Sequence, residues 1–448
     1  MSVKVRVIGG GLAGPEAALQ AARYGCEVEL YEMRPVRQTE AHQTADFAEL
    51  VCSNSLKSES ENTAPWLLKQ EMRRAGSVLL AEADACAVPA GHALAVDRVV
   101  FSRQVAERIA AEKRITVKRE EVTRLDEGGD ALTIVATGPL TSAALASELQ
   151  RLTGEQHLAF YDSISPIVET ASINMERAYM AARWGKGTAD YINCPFTREE
   201  YEAFLDALMN AEQVQEKEWE KLQYFEGCLP IEETARRGRE TLRFGPMKPV
   251  GLRDPRTGQT PHAVVQLRQE NLRADSYNIV GFQNHLKFGE QARVLRMIPG
   301  LENAVFLRYG QIHRNTYLNA PALLTETLQM KAHPKILIAG QLSGVEGYTE
   351  SIASGLLAGR YAAAIAMGRK PVAAPRECAL GALNHYITHT EAKGFQPANM
   401  TFDLLPALDR DAMDVAERKR MRDKKERHRV QCERALAAFE GWLVRSGG

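Results

Sequence analysis

Alternation is the first pattern in the chain. Val3, Val5 and Val7 alternate with polar residues and run into Ile8, which predicts a short strand. Glycines then stand at 9, 11 and 14, an alanine-rich stretch from Pro15 to Arg23 predicts a helix, and Gly25 ends it. Val28 to Tyr31 is the next strand. A second apolar strand, Ala131 to Pro139, ends in Ala-Thr-Gly, and a third, "KILIAGQLSGVEGYTESIASGLLAGRYAA", enters a glycine-rich turn and a long helix. Between these lie alternating stretches such as "HAVVQLRQE", and near the end "ERKRMRDKKERHR" reads as one charged surface helix.

Strand, glycine turn, helix, strand is the frame of a dinucleotide site. In G-x-G-x-x-G spacing Gly9 makes the turn, Gly11 lets backbone approach a pyrophosphate, and Gly14 lets the helix pack on the strand. The helix N-terminus then faces the phosphates, with Gly10, Leu12 and Ala13 completing the turn. Glu32 stands 23 residues after Gly9, where an acid binds a ribose diol. The nucleotide is a nicotinamide or a flavin. The two later glycine-ended strands favour FAD, because they match the segments by which two-dinucleotide-fold flavoproteins close over it. Where such proteins usually carry an aspartate on the ribityl chain, this chain has Gln341, so that contact becomes a neutral hydrogen bond.

Totals narrow the class. A chain of 448 residues predicts two domains or one with an insertion, and 45% hydrophobic with 25% charged residues is ordinary for a globular protein. The expectation is an α/β fold: a Rossmann-like FAD-binding domain in segments 1–165 and 316–448, interrupted by a smaller α/β insertion at 166–315. The apolar window "SIASGLLAGRYAAAIAMG" carries Arg360 and several glycines, so no membrane span is expected. Seven dispersed cysteines without a C-x-x-C pair, and an N-terminus without a secretory pattern, predict a cytoplasmic protein with neither zinc site nor disulfides.

Specific motifs go further. "FAELVCSNSLKSE", "YDSISPIVE", "YINCPFTREEY", "FEGCLPIEE", "RFGPMKPVGL", "LRYGQIHRNTYLNAP" and "GQLSGVEGYTES" occur in this order, and together they resemble the folate- and FAD-dependent tRNA uracil-5-methyltransferases, the TrmFO family. The resemblance implies methylation of C5 of the T-loop uridine, position 54, of tRNA. It also implies carbon from 5,10-methylenetetrahydrofolate, electrons from reduced FAD, and NADPH or NADH as reductant. No membrane and no stable protein partner are expected. C5 of uracil is a poor nucleophile until something adds at C6, and a thiolate both adds and leaves well. Cys228 is the chosen nucleophile and Cys52 the second functional cysteine, with the two roles exchangeable; Cys26, Cys86, Cys194, Cys378 and Cys432 are read as structural.

In the family the tyrosine matching Tyr348 stacks on the flavin ring, and Gly340, Gln341, Gly347 and Thr349 belong to the same turn; Thr349 or Ser351 is the expected N-cap of the next helix. For RNA, Arg236, Arg237, Arg239, Arg243 and Lys248 lie in a stretch to Arg256 with seven basic residues against two acids. A net charge of -1 does not forbid such a local patch. His313 and Arg314 are candidates for folate carboxylates or RNA, a structural histidine being as good a reading. Three alternatives share part of the pattern. They are the sister GidA-like flavoproteins that place carboxymethylaminomethyl groups on wobble uridines, a small-molecule flavin reductase, and a non-enzymatic flavin-binding RNA adaptor.

Overall fold

The computed structural model describes residues 4–39, 41–154, 158–163, 165–185, 188–214, 229–310, 312–409 and 413–447, with backbone alone for 158–163 and 312–315. The predicted first strand is Lys4–Ile8, the helix Ala13–Arg23 and the second strand Glu27–Tyr31. They nucleate a five-stranded parallel sheet with Lys4–Ile8 at its centre. Glu27–Tyr31 and then Ile115–Lys118 lie on one side, and Leu132–Val135 and then Ile336–Ile338 on the other. The central strands carry Val5, Val7, Leu30 and Ile134 at zero or near-zero exposure, as a sheet covered on both faces requires. Helix Tyr348–Ala366 packs along Ala13–Arg23, where Gly355 and Gly359 leave room for Ala13 and Ala17.

A second sheet has six antiparallel strands, in the order Tyr179–Met180, Tyr191–Phe196, Ala263–Gln269, Ser276–Ile279, Ile167–Glu169, Phe306–Arg308. It has a hydrophobic core of its own, built from residues between Val168 and Ala304 and covered by helix Arg198–Met209. The chain enters and leaves it through a two-stranded ribbon, Leu158–Ser163 against Ile312–Tyr317. The α/β class with a Rossmann-like sheet is therefore present. Among the described residues no helix is long and apolar enough to cross a membrane.

Two local expectations are corrected. The helix after the last glycine turn starts at Tyr348 with Gly347 as N-cap, so Thr349 and Ser351 lie inside it. Gly347 takes a φ of 111°, a conformation costly for any residue with a Cβ. The charged segment is two helices, Val415–Arg420 and Lys424–Arg445, because the Asp423 carboxylate accepts from the N–H groups of Lys425 and Glu426 and caps the second.

Candidate functional site

The carboxyl ends of the parallel strands open into a cavity of about 470 Å³, a size suited to a cofactor. Gly9, Gly10, Gly11, Leu12, Ala13, Glu32, Gly340, Gln341, Gly347, Tyr348 and Cys52 all line it. Gly14 and Thr349 do not line it. Gly14 sits beneath the turn, where a Cβ would fall 1.8 Å from the Gly9 carbonyl oxygen, and the Thr349 hydroxyl donates to the Leu56 carbonyl at 3.1 Å.

Charge recognition is built from backbone and one buried ion pair. The N-terminus of helix Ala13–Arg23 has no side-chain cap, so its first N–H groups are left for an anion at the cavity. Helix Tyr348–Ala366 likewise begins uncapped at the same cavity. Glu32 accepts from Gly10 N at 2.7 Å, and from Arg34 N and Nε at 2.8 and 2.9 Å. Burial pushes the Glu32 carboxyl up, but the Arg34 guanidinium and these N–H groups outweigh it and hold the group below the usual carboxylate range. Arg34 is buried and also holds Glu49 and the carbonyls of Thr44 and Asp46. Glu32 is thus an ionised acceptor with lone pairs to spare. Gln341 donates to the Glu346 carboxylate at 2.7 Å at the cavity edge. An uncapped helix terminus, a glycine cradle and an ionised acid fit a dinucleotide such as FAD.

Cys52 stands on the cavity lining. Among the described cysteines it is the one that is not buried. Its N–H and that of Ser53 both donate to the Tyr348 hydroxyl oxygen, at 2.7 and 3.2 Å. Burial pushes the Tyr348 phenol well above its ordinary value, so it stays protonated. The guanidinium groups of Arg98 and Arg308 lie within electrostatic range of Cys52 and Tyr348. By contrast, burial pushes the thiols of Cys86 and Cys432 up to about 12, and raises those of Cys26, Cys194 and Cys378. These five behave as small hydrophobes.

The antiparallel sheet supplies the opposite wall with Arg268, Asn278, Val280, Gly281 and Gln283. Arg268 is fixed by Nε to Asn54 Oδ1 at 2.9 Å and by Nη2 to Ser53 Oγ at 2.7 Å, while Asn54 donates back to the Gln269 carbonyl at 2.8 Å. Arg34, Asn54, Arg98 and Arg268 escaped sequence reasoning. Asn54 stands inside the "LVCSNSLKS" motif and Arg34 two residues after the ribose acid, so both left a local signal; Arg98 and Arg268 left none.

Cys228 lies outside the described residues, as do the side chains of His313 and Arg314. Of the expected RNA residues, Arg236, Arg237, Arg239 and Lys248 are exposed and Arg243 is half-buried, all of them away from the cavity lining. Arg236 pairs with Glu233, Arg239 with Glu202 and Asp206, and Arg243 with Glu240. Their charge is partly neutralised. Lys248 and Arg253 are exposed with no carboxylate partner among the described residues, beside Phe244 at 79% and Trp184 at 66% exposure.

Comparison with known proteins places this geometry. The family model described as glucose inhibited division protein A matches residues 4–370. A Koribacter versatilis protein named methylenetetrahydrofolate–tRNA-(uracil-5-)-methyltransferase TrmFO is 69% identical, across 100% of this chain and 99% of its own length. One of the same name from Solibacter usitatus is 61% identical, across 98% of each. The solved structure of Aquifex aeolicus GidA superposes with a TM-score of 0.65 at 18% identity, covering 86% of this chain and 67% of that one. It shares the fold.

Proposed function

Because the chain belongs to the TrmFO branch of the glucose inhibited division protein A family, we propose that it methylates C5 of uridine 54 in the tRNA T loop, using 5,10-methylenetetrahydrofolate, FAD and NADPH or NADH. The observation that carries this reading is the single cavity in which a dinucleotide cradle, Tyr348 and the half-buried Cys52 meet a wall from the second domain. The wobble-uridine alternative is disfavoured by the full-length identity to relatives named for the uracil-5 reaction.

Roles follow from chemistry. Glu32 and the Gly9–Gly11 turn hold the ribose and diphosphate, and the uncapped N-terminus at Gly347 favours negative charge at the far end. FAD, when bound, supplies the electrons that convert the transferred methylene to methyl. Cys228 adds to C6 of uracil, making C5 nucleophilic, and leaves by elimination once C5 has lost its proton. Ile231, at the start of the helix that follows, donates its N–H to the carbonyl of cavity-lining Gln283 at 2.8 Å. Cys52 serves as base or guard of the intermediate on the first wall, with the guanidinium groups of Arg98 and Arg308 in electrostatic range. Lys248 and Arg253 hold phosphates, and Trp184 and Phe244 offer faces for unpaired bases. The reaction is expected in the cytoplasm, where tRNA and reduced thiols coexist.

The test is incubation of unmodified tRNA with the protein, labelled methylenetetrahydrofolate and reduced nicotinamide. Label is expected in 5-methyluridine at position 54, and Cys228→Ala lowers the yield by about 10³-fold or more. Methyl arriving from S-adenosylmethionine, or full activity without Cys228, overturns the proposal.

A further inference from the structure

We propose that Glu326, His385 and His389 form a binding site for a divalent transition-metal ion, separate from the cavity and independent of the methylation reading. The two histidines are four residues apart on helix Ala379–His389, which places them on one face. Glu326 reaches them from the turn that precedes the last parallel strand. The three donor atoms lie within 4.8 Å of one another, His389 Nε2 is 3.1 Å from Glu326 Oε1, and the imidazole rings stack with centroids 4.2 Å apart. With metal–nitrogen bonds of about 2.0–2.1 Å, the two rings turn out of their stacked arrangement to bring both lone pairs onto one ion.

Hydrogen bonding sets which nitrogen faces the carboxylate. The Thr388 hydroxyl donates its proton to the Asn384 carbonyl at 2.8 Å and therefore accepts from His389 Nδ1–H at 2.9 Å. Nε2 is left with a lone pair aimed at a carboxylate oxygen. Two lone pairs at that distance repel unless a positive particle, a proton or a metal ion, lies between them. Metal-bound histidines are oriented by an oxygen acceptor on the remote N–H, and the Thr388 hydroxyl oxygen stands in that place here. Asn384 further donates to the Glu326 carbonyl and fixes the backbone of the third ligand. Two imidazoles and one carboxylate select zinc, nickel or copper over magnesium. Filled, the site clips this helix to the turn holding Leu324 against Met330 and Gln329 against Leu337, beside the strand that leads to Gly340 and Gln341.

The experiment is calorimetric titration of the purified full-length protein with zinc chloride, with metal analysis after dialysis and a thermal midpoint with and without zinc. One equivalent and a raised midpoint are expected. His385→Ala with His389→Ala abolishes both, and Thr388→Val weakens zinc binding by about tenfold. Magnesium chloride gives no heat. Absence of zinc uptake means that a proton alone bridges Glu326 and His389, and overturns the proposal; so does uptake unchanged in the double variant. Methylation has no part in this readout, so failure of the proposed function leaves it intact.

Discussion

The parallel-sheet domain and the antiparallel-sheet domain each bury a glutamate, and they treat its charge in opposite ways. Glu32, 5% exposed, meets one guanidinium and two backbone N–H groups, and its pKa falls. Glu232, fully buried, accepts from His285 N at 2.6 Å, while its Oε2 has no hydrogen-bond partner among the described residues. Burial pushes its carboxyl up to about 7, with the nearby Glu233 charge adding to the rise. One wall is organised in advance to hold charge, as a cofactor platform requires. In the other, the Glu232 carboxyl is poised near neutral pH. Three experiments test this difference.

Gly14→Val strikes the first wall and has the largest effect. A Cβ there meets the Gly9 carbonyl oxygen at 1.8 Å, backbone against backbone, so neither side yields cheaply. The expected result is a loss of stability above about 4 kcal/mol and colourless protein, read by chemical denaturation and by the visible absorbance of retained flavin. A yellow variant that unfolds like the wild type removes Gly14 from the packing argument.

Arg268→Met strikes the second wall. The guanidinium joins the antiparallel sheet to Ser53 and Asn54, beside Cys52. Losing it leaves the glycine turn and Glu32 untouched, so flavin is retained, while the Cys52 loop shifts and methylation falls by about 10²-fold. Undiminished turnover shows that this wall does not position the first. Flavin loss shows that the two walls are one.

What was legible in the sequence follows the same division. Gly9, Gly11, Gly14 and Glu32 form one local unit whose spacing carries its own geometry, and the structure brings Gly9, Gly11 and Glu32 to the cavity with Gly14 packed beneath the turn. The contact of Arg268 with Ser53 spans 215 residues, and no local pattern announces it. Other gaps were local competitions. Thr349 is a good capping residue, yet Gly347 took the cap because the chain there needs a positive φ. Asp423 lay in plain sight within the charged run and divided it, since a carboxylate two and three residues before free N–H groups is a strong helix start. The Glu326–His389 contact required folding to bring a turn against a helix.

Glu232→Gln gives the smallest effect and the finest test. With the folded-state value raised to about 7 against 4.5 for the free group, the native protein binds more protons than the unfolded chain between those values. Stability from this group is therefore full below about pH 4.5 and is lost as pH rises through 7. Glutamine keeps the acceptor for His285 N and does not titrate. Thermal midpoints of variant and wild type should coincide near pH 5 and diverge upward for the variant by pH 8, by several degrees at most. Parallel curves across that range mean Glu232 is ionised and satisfied in the native state. The second wall would then be as fully organised for charge as the first, and the contrast between the two domains would have to rest on Arg268 alone.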